Sequence, residues 1–192
     1  MLARMVLRVT QYGELVLRQP GQRIVQFDQA LRKLSEEMIE TMYAEDGAGL
    51  AAQQVGEALQ LCVIDIGDLE AELVDFELDG KRPPIDLIMP LVLINPELQV
   101  LPGRKLEAEE GCLSFPGVRI RVARPEAVEV RYQDVEGAPH VLRAGGWFAR
   151  VIQHEYDHLQ GVLFIDHLGT KELRQLDAKL KKLKRAARNQ ES

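Results

Sequence analysis

Cysteine is scarce in this chain. Its 192 residues hold only Cys62 and Cys112, too few for a disulfide framework and in keeping with a reducing, cytoplasmic home. Long apolar runs are lacking too. The longest, residues 87–94, is eight residues with a proline inside, so no segment is expected to span a membrane and no membrane partner is implied. The first ten residues have neither a sustained apolar core nor a small-residue cleavage site, and no signal peptide is expected. There is no internal repeat and no low-complexity tract. Positive charge is in deficit as well. The net charge is −6, yet residues 179–188 carry six Lys or Arg and no acid, which leaves the rest of the chain at −12. An acidic body with a short basic tail is not a duplex-DNA-binding domain, although the tail can meet phosphates.

An apolar fraction of 46% alongside 28% charged residues suits one ordinary globular domain. Asp28 reads as an N-cap, with Leu31, Leu34, Met38 and Met42 following at helical spacing to about Ala44. Residues 59–66 and 91–94 read as buried strands, separated by a long acidic excursion over 67–90. Residues 118–141 alternate like antiparallel strands, with a turn at 134–137. Two helices follow. One starts after Gly146 and stops at Gly161; the other starts near Thr170, with Leu173, Leu176, Leu180 and Leu183 on one face. Strands bracketed by helices, without a βαβ rhythm, give an α+β class.

The sharpest motif is His154-Glu155-Tyr156-Asp157-His158. Residues four apart share a helix face, so both imidazoles can reach one ion, while Glu155 can touch water beside it. The plainer alternative is an exposed polar turn with two unrelated histidines. A catalytic site of this kind needs a third protein ligand, which Glu, Asp, His or Cys can supply. Cys112 is a candidate because it follows Glu110 and Gly111 in a turn-forming stretch, although a lone Cys is often a small buried hydrophobe. That second description is the one expected of Cys62, in an apolar strand. The third feature is GAGLAAQQ at 47–54. It fits no nucleotide fingerprint, and its small residues alone suggest tight packing, with a side-chain amide able to point into a cleft.

Together these stretches resemble the peptide deformylase family, whose pattern runs Gly-apolar-Gly-Leu-Ala-Ala-x-Gln, then Glu-Gly-Cys-Leu-Ser, then Gln-His-Glu-x-Asp-His-Leu-x-Gly. All three stand here in that order, at 47–54, 110–114 and 153–161, and the similarity runs from about residue 7 to 168. The resemblance implies that Cys112, His154 and His158 hold one divalent metal and that Glu155 is the acid–base residue. It implies that the Gln54 amide and the Leu113 backbone N–H face the carbonyl oxygen. The metal implied is Fe2+ in the cell, with Zn2+, Ni2+ or Co2+ able to take its place. The fold implied wraps antiparallel strands around a central helix bearing both histidines, with a C-terminal helix behind it. The activity implied is removal of the N-formyl group from N-formylmethionyl nascent peptides, releasing formate. Residues 1–169 would form the catalytic body, with the basic helix and tail at 170–192 part of the same domain and able to dock on the ribosome.

Three positions depart from the family pattern. Ala48 stands where a bulky aliphatic is usual, Leu15 where Pro is common, and the 67–90 excursion is longer than in many members. These departures concern the substrate pocket, for which Gly47, Ala48, Gly49, Glu110, Gly111, Trp147 and Val151 are candidates. Trp147 and Val151 fall on the helix face of His154, although core packing is the ordinary fate of such residues. Two other readings stay open at this point. One is a zinc endopeptidase with a different third ligand, which leaves 47–54 unexplained. The other is a non-catalytic, metal-stabilised protein that docks on the ribosome through its tail.

Overall fold

The computed structural model describes residues 5–67 and 75–190. Three helices run over Gln29–Ala44 (α1), Gly146–Leu159 (α2) and Thr170–Gln190 (α3). The strands are Gly49–Ala51 (β1), Leu61–Ile64 (β2), Phe76–Leu78 (β3), Leu91–Val100 (β4), Lys105–Gly111 (β5), Arg119–Pro125 (β6), Ala127–Gln133 (β7) and Pro139–Gly145 (β8). Six strands form one sheet in the order β1-β2-β4-β7-β8-β3, and β5 with β6 forms a separate hairpin. Among the described residues every strand pair is antiparallel. The α+β class is therefore the observed one.

The four residues of β2 are all buried, because both faces of the sheet are covered there. Leu61 and Val63 pack with Leu31, Met38 and Met42 of α1. Cys62 and Ile64 pack with Phe148, Ala149 and Ile152 of α2. Alternation between two covered faces explains why this segment reads as a continuous apolar run. Ten of the fourteen residues of α2 are buried, so it is a helix enclosed by strands. It ends where expected: Gly161 takes φ 72°, and a Cβ there would fall 2.7 Å from the Arg18 carbonyl oxygen. Asp28 caps α1 by accepting from the Leu31 N–H at 3.0 Å. Thr170 is the first residue of α3, and Glu172 accepts from the Gly169 N–H at 2.8 Å.

Other expectations are corrected. The strand expected over 59–66 is confined to Leu61–Ile64, and the one expected over 91–94 continues to Val100. Asn95 and Pro96 interrupt it, and the register with β7 shifts between Ile94 and Glu97. The Asn95 side chain accepts from the Ile24 N–H and donates to the Ile24 carbonyl, each at 2.8 Å, tying the N-terminal segment to the sheet. The 67–90 excursion is not one loop. Phe76–Leu78 pairs with β8 at the sheet edge, and Ile85–Leu87 makes a 3-10 turn; residues 68–74 lie outside the described residues. GAGLAAQQ, which read as a packing loop, contributes strand β1 and then a 3-10 turn over Ala52–Val55. The hairpin partner β5 went unforeseen because its Lys-Leu-Glu-Ala-Glu-Glu-Gly sequence is mostly charged.

Candidate metal centre

Each of the three motifs reaches the site on a different element. His154, Glu155 and His158 come from α2. Cys112 follows the last residue of β5, and Gln54 lies in the 3-10 turn after β1. The Cys112 Sγ and one nitrogen from each histidine lie within 4.8 Å of one another. His158 Nε2 is 3.3 Å from that sulfur. His154 donates through Nδ1 to Glu110 Oε2 at 3.0 Å, which leaves its Nε2 free to face the thiol. One soft and two borderline donors at this separation suit a divalent transition metal. Two buried atoms among these groups have no protein partner, Glu155 Oε2 and His158 Nδ1. A partnerless buried carboxylate oxygen is costly unless the site is completed by something it can meet.

Electrostatics separates the groups. Burial pushes the Glu155 carboxyl up to about 7, against the pull of His154 and Arg124. Burial opposes a charged His154, yet the Cys112 sulfur and the Glu110 carboxylate outweigh it and hold that imidazole at about 10. His158 is pushed down to about 3 by burial and by the nearby His154 charge. Burial acts against the Glu110 anion too, but His154 and Arg124 hold its carboxyl down at about 2. The Gln54 amide is oriented by its own turn. Its Oε1 accepts from the Ala51 N–H at 2.9 Å, so its Nε2 turns toward Cys112 Sγ at 3.5 Å and Ser114 Oγ at 3.3 Å.

A cleft of about 520 Å³ opens onto these groups. Gly47, Ala48, Gly49, Gln54, Glu110, Gly111, Cys112, Leu113, Trp147, Val151, His154 and Glu155 all line it. Val151 is buried, whereas Trp147 is 46% exposed at the rim. Although Glu110 borders the cleft, its carboxylate turns inward to His154 and Arg124. Cys62, expected as a core residue, lies in the cluster between sheet and α2, where burial raises its thiol pKa.

The family model for polypeptide deformylase matches residues 6–174. The chain belongs to the polypeptide deformylase family. All three motifs fall inside the matched span, and most of α3 lies beyond it. Peptide deformylase from Opitutus terrae is 49% identical over 187 residues, 96% of each chain. Peptide deformylase from Methylacidiphilum infernorum is 44% identical over 183 residues, 94% of each. A crystal structure of a peptide deformylase from Synechococcus elongatus in complex with actinonin superposes with a TM-score of 0.74 at 44% identity, covering 95% of this chain and 88% of that one.

The motifs did not flag the support behind these residues. Arg124 donates to both Glu110 oxygens, at 2.6 and 3.0 Å, and to Asp157 Oδ2 at 2.8 Å. His167 meets the same Asp157 oxygen at 2.7 Å. A signal for Arg124 was present. In β6 the buried positions alternate as Ile120, Val122 and Arg124, and an arginine on the inward face of a strand needs a buried anion.

Proposed function

We propose that this chain is a metal-dependent hydrolase that removes the N-formyl group from N-formylmethionyl nascent polypeptides, releasing formate. The observation that carries this is the convergence of the Cys112 sulfur and the two imidazoles within 4.8 Å, beside a buried, partnerless Glu155 oxygen in a cleft. Cys112, His154 and His158 would hold the ion. When bound, it supplies a Lewis acid of formal charge +1 and a means of lowering the pKa of water. Fe2+ is the ion proposed in the cell, with Zn2+, Ni2+ or Co2+ able to replace it in purified protein.

Glu155 takes the proton of the attacking water on its carboxylate and delivers it to the departing nitrogen. Its burial and its partnerless Oε2 leave it available to accept and release that proton. The Gln54 Nε2 and the Leu113 N–H donate to the oxygen that gains charge as the formyl carbon becomes tetrahedral. Ala48, Trp147 and Val151 receive the methionine side chain, while Gly47, Gly49, Glu110 and Gly111 complete the wall. Glu110 orients His154 through Nδ1, as an acceptor behind a metal-ligating histidine does.

The chain acts as one domain, residues 1–169 as the catalytic body and 170–192 as the basic helix and tail belonging to it. Burial of Leu180 and Ala187 supports this. The working location proposed is the cytoplasm, where the substrate emerges from the ribosome during N-terminal methionine processing. Among the described residues no helix is long and apolar enough to cross a membrane. The outer face of α3 is the proposed ribosome contact. The deciding experiment measures hydrolysis of a formyl-Met peptide alongside metal content in anaerobically purified protein. Formate release with about one metal per chain is expected from a site with three protein ligands; cleavage of an unformylated protein instead would favour an endopeptidase.

A further inference from the structure

Arg150 stands one helical turn before His154 on α2 and is buried. Its guanidinium reaches three acceptors. Nη1 donates to Glu110 Oε1 at 2.6 Å and to the Val122 carbonyl at 2.9 Å, and Nη2 donates to the Leu106 carbonyl at 2.5 Å. Leu106 belongs to β5 and Val122 to β6. One helix side chain therefore grips both strands of the hairpin as well as the carboxylate behind His154.

That grip bears on the donor spacing because the hairpin is a sheet of its own. Ladder hydrogen bonds to the six-stranded sheet do not set where it lies relative to α2. The hairpin delivers Cys112 directly after β5, while both histidines ride on α2. The separation of sulfur from nitrogen is thus a matter of helix-to-hairpin placement. Gln153 Nε2 makes another tie, to the Pro125 carbonyl at 3.0 Å at the far end of β6, and Arg124 links β6 to Asp157. Arg124, itself on β6, also holds Glu110 of β5; of the three, Arg150 is the one that reaches from α2 to backbone carbonyls of both strands. A planar fork can serve acceptors in several directions at once, which a lysine ammonium on a flexible stem does poorly.

We infer that Arg150 is a positioning residue for the metal centre, locking the hairpin that carries Cys112 to the helix that carries His154 and His158. It acts through the Leu106 and Val122 carbonyls and through Glu110. The inference rests on the metal-dependent reading above. Loss of such outer support typically weakens metal binding about 10–100-fold.

The test compares Arg150→Met and Arg150→Lys with the unaltered chain after exchange into Co2+. Three quantities are read: Co2+ affinity by chelator competition, the thiolate-to-Co2+ charge-transfer band, and kcat and KM on a formyl-Met peptide. Thermal unfolding shows that each variant is folded. Arg150→Met is expected to weaken Co2+ binding about 10–100-fold, diminish the thiolate band and lower kcat with little change in KM. Arg150→Lys, which keeps the charge and loses the fork, is expected to fall in between. Arg121→Met, which removes only an exposed pair with Glu107 on the same hairpin, is expected to leave all three readings unchanged. A folded Arg150→Met or Arg150→Lys with full Co2+ affinity and an intact thiolate band overturns the positioning role, even if its melting temperature drops. Failure of the unaltered chain to bind Co2+ through a thiolate overturns the metal-dependent reading instead.

Discussion

Gly49 lies against Glu155. A Cβ added to Gly49 would stand 2.6 Å from Glu155 Oε1 and 2.8 Å from its Cγ and Cδ, so the backbone of β1 occupies the space where any side chain would displace the carboxylate. Gly49→Ala is therefore expected to retain metal while losing activity by about 10²-fold, the scale set by a misplacement of roughly 1 Å in a reacting group. Metal analysis beside kcat checks this, and undiminished turnover in the variant would show that Glu155 need not hold its place.

Glu155→Gln keeps the shape of the side chain and removes the proton transfer proposed for it. Near-stoichiometric metal with most deformylation lost is the expected pair of results. Cys112→Ala and His158→Ala should lose the metal itself, because a three-ligand site has none to spare. Normal turnover in the Glu155→Gln variant would remove Glu155 from the proton path.

Ala48 borders the cleft alongside Trp147 and Val151, where the family pattern usually has a larger aliphatic. Ala48→Ile should raise KM for formyl peptides with bulky first residues more than for formyl-Met peptides. Equal effects on both series would place residue 48 outside the side-chain pocket.

The basic tail calls for charge reversal in place of truncation. Leu180 and Ala187 are buried against the body, so deletion from residue 179 would expose core. Lys179 donates to the Gly117 carbonyl, Lys184 lies 5.0 Å over the Tyr12 ring, and Lys181 pairs with Asp177. Lys182 and Arg185 are exposed. Lys182→Glu with Arg185→Glu should weaken salt-sensitive co-sedimentation with ribosomes and leave turnover of a short formyl-Met peptide nearly unchanged. Unaltered co-sedimentation would reduce α3 to a packing helix.

His140 bridges two carboxylates, Asp79 at 2.7 Å through Nδ1 and Asp134 at 3.2 Å through Nε2. Burial opposes its charge, but both partners raise its pKa above the ordinary value. A raised folded pKa contributes stability that is fully present below the unfolded value of about 6.5 and is lost as pH rises through the folded value. The two aspartates are lowered, so their share is present above about 3.9 and fades as pH falls through their folded values. The stability gap between the unaltered chain and His140→Gln should thus be widest near pH 5 and shrink above neutrality. Denaturant midpoints across that range measure it; a gap that is flat with pH would mean that His140 binds its partners no better when charged.

Much of the architecture was legible because it follows local rules. The cap at Asp28, the stop at Gly161, the Leu stripe of α3 and the two-sided burial of β2 each reflect spacing and backbone preference. The strand β5 was not legible, since its charged residues pair outward across a two-stranded hairpin. Nor was the strand character of β1, whose small residues carry no alternation.

At the site, the sequence alone determined the donor types and the helical i, i+4 relation of His154 and His158, because helix geometry is fixed by the backbone. It also supplied Cys112, Gln54 and Glu155 as candidates through their motifs. Tertiary structure decided how these meet. It turned Glu110 away from the cleft toward His154, put Arg124 and Arg150 behind that carboxylate, and laid β1 against Glu155. Those pairings join residues 14 to 106 positions apart in the chain. No local periodicity encodes such contacts; they arise only when a separate hairpin and an edge strand close around one buried helix.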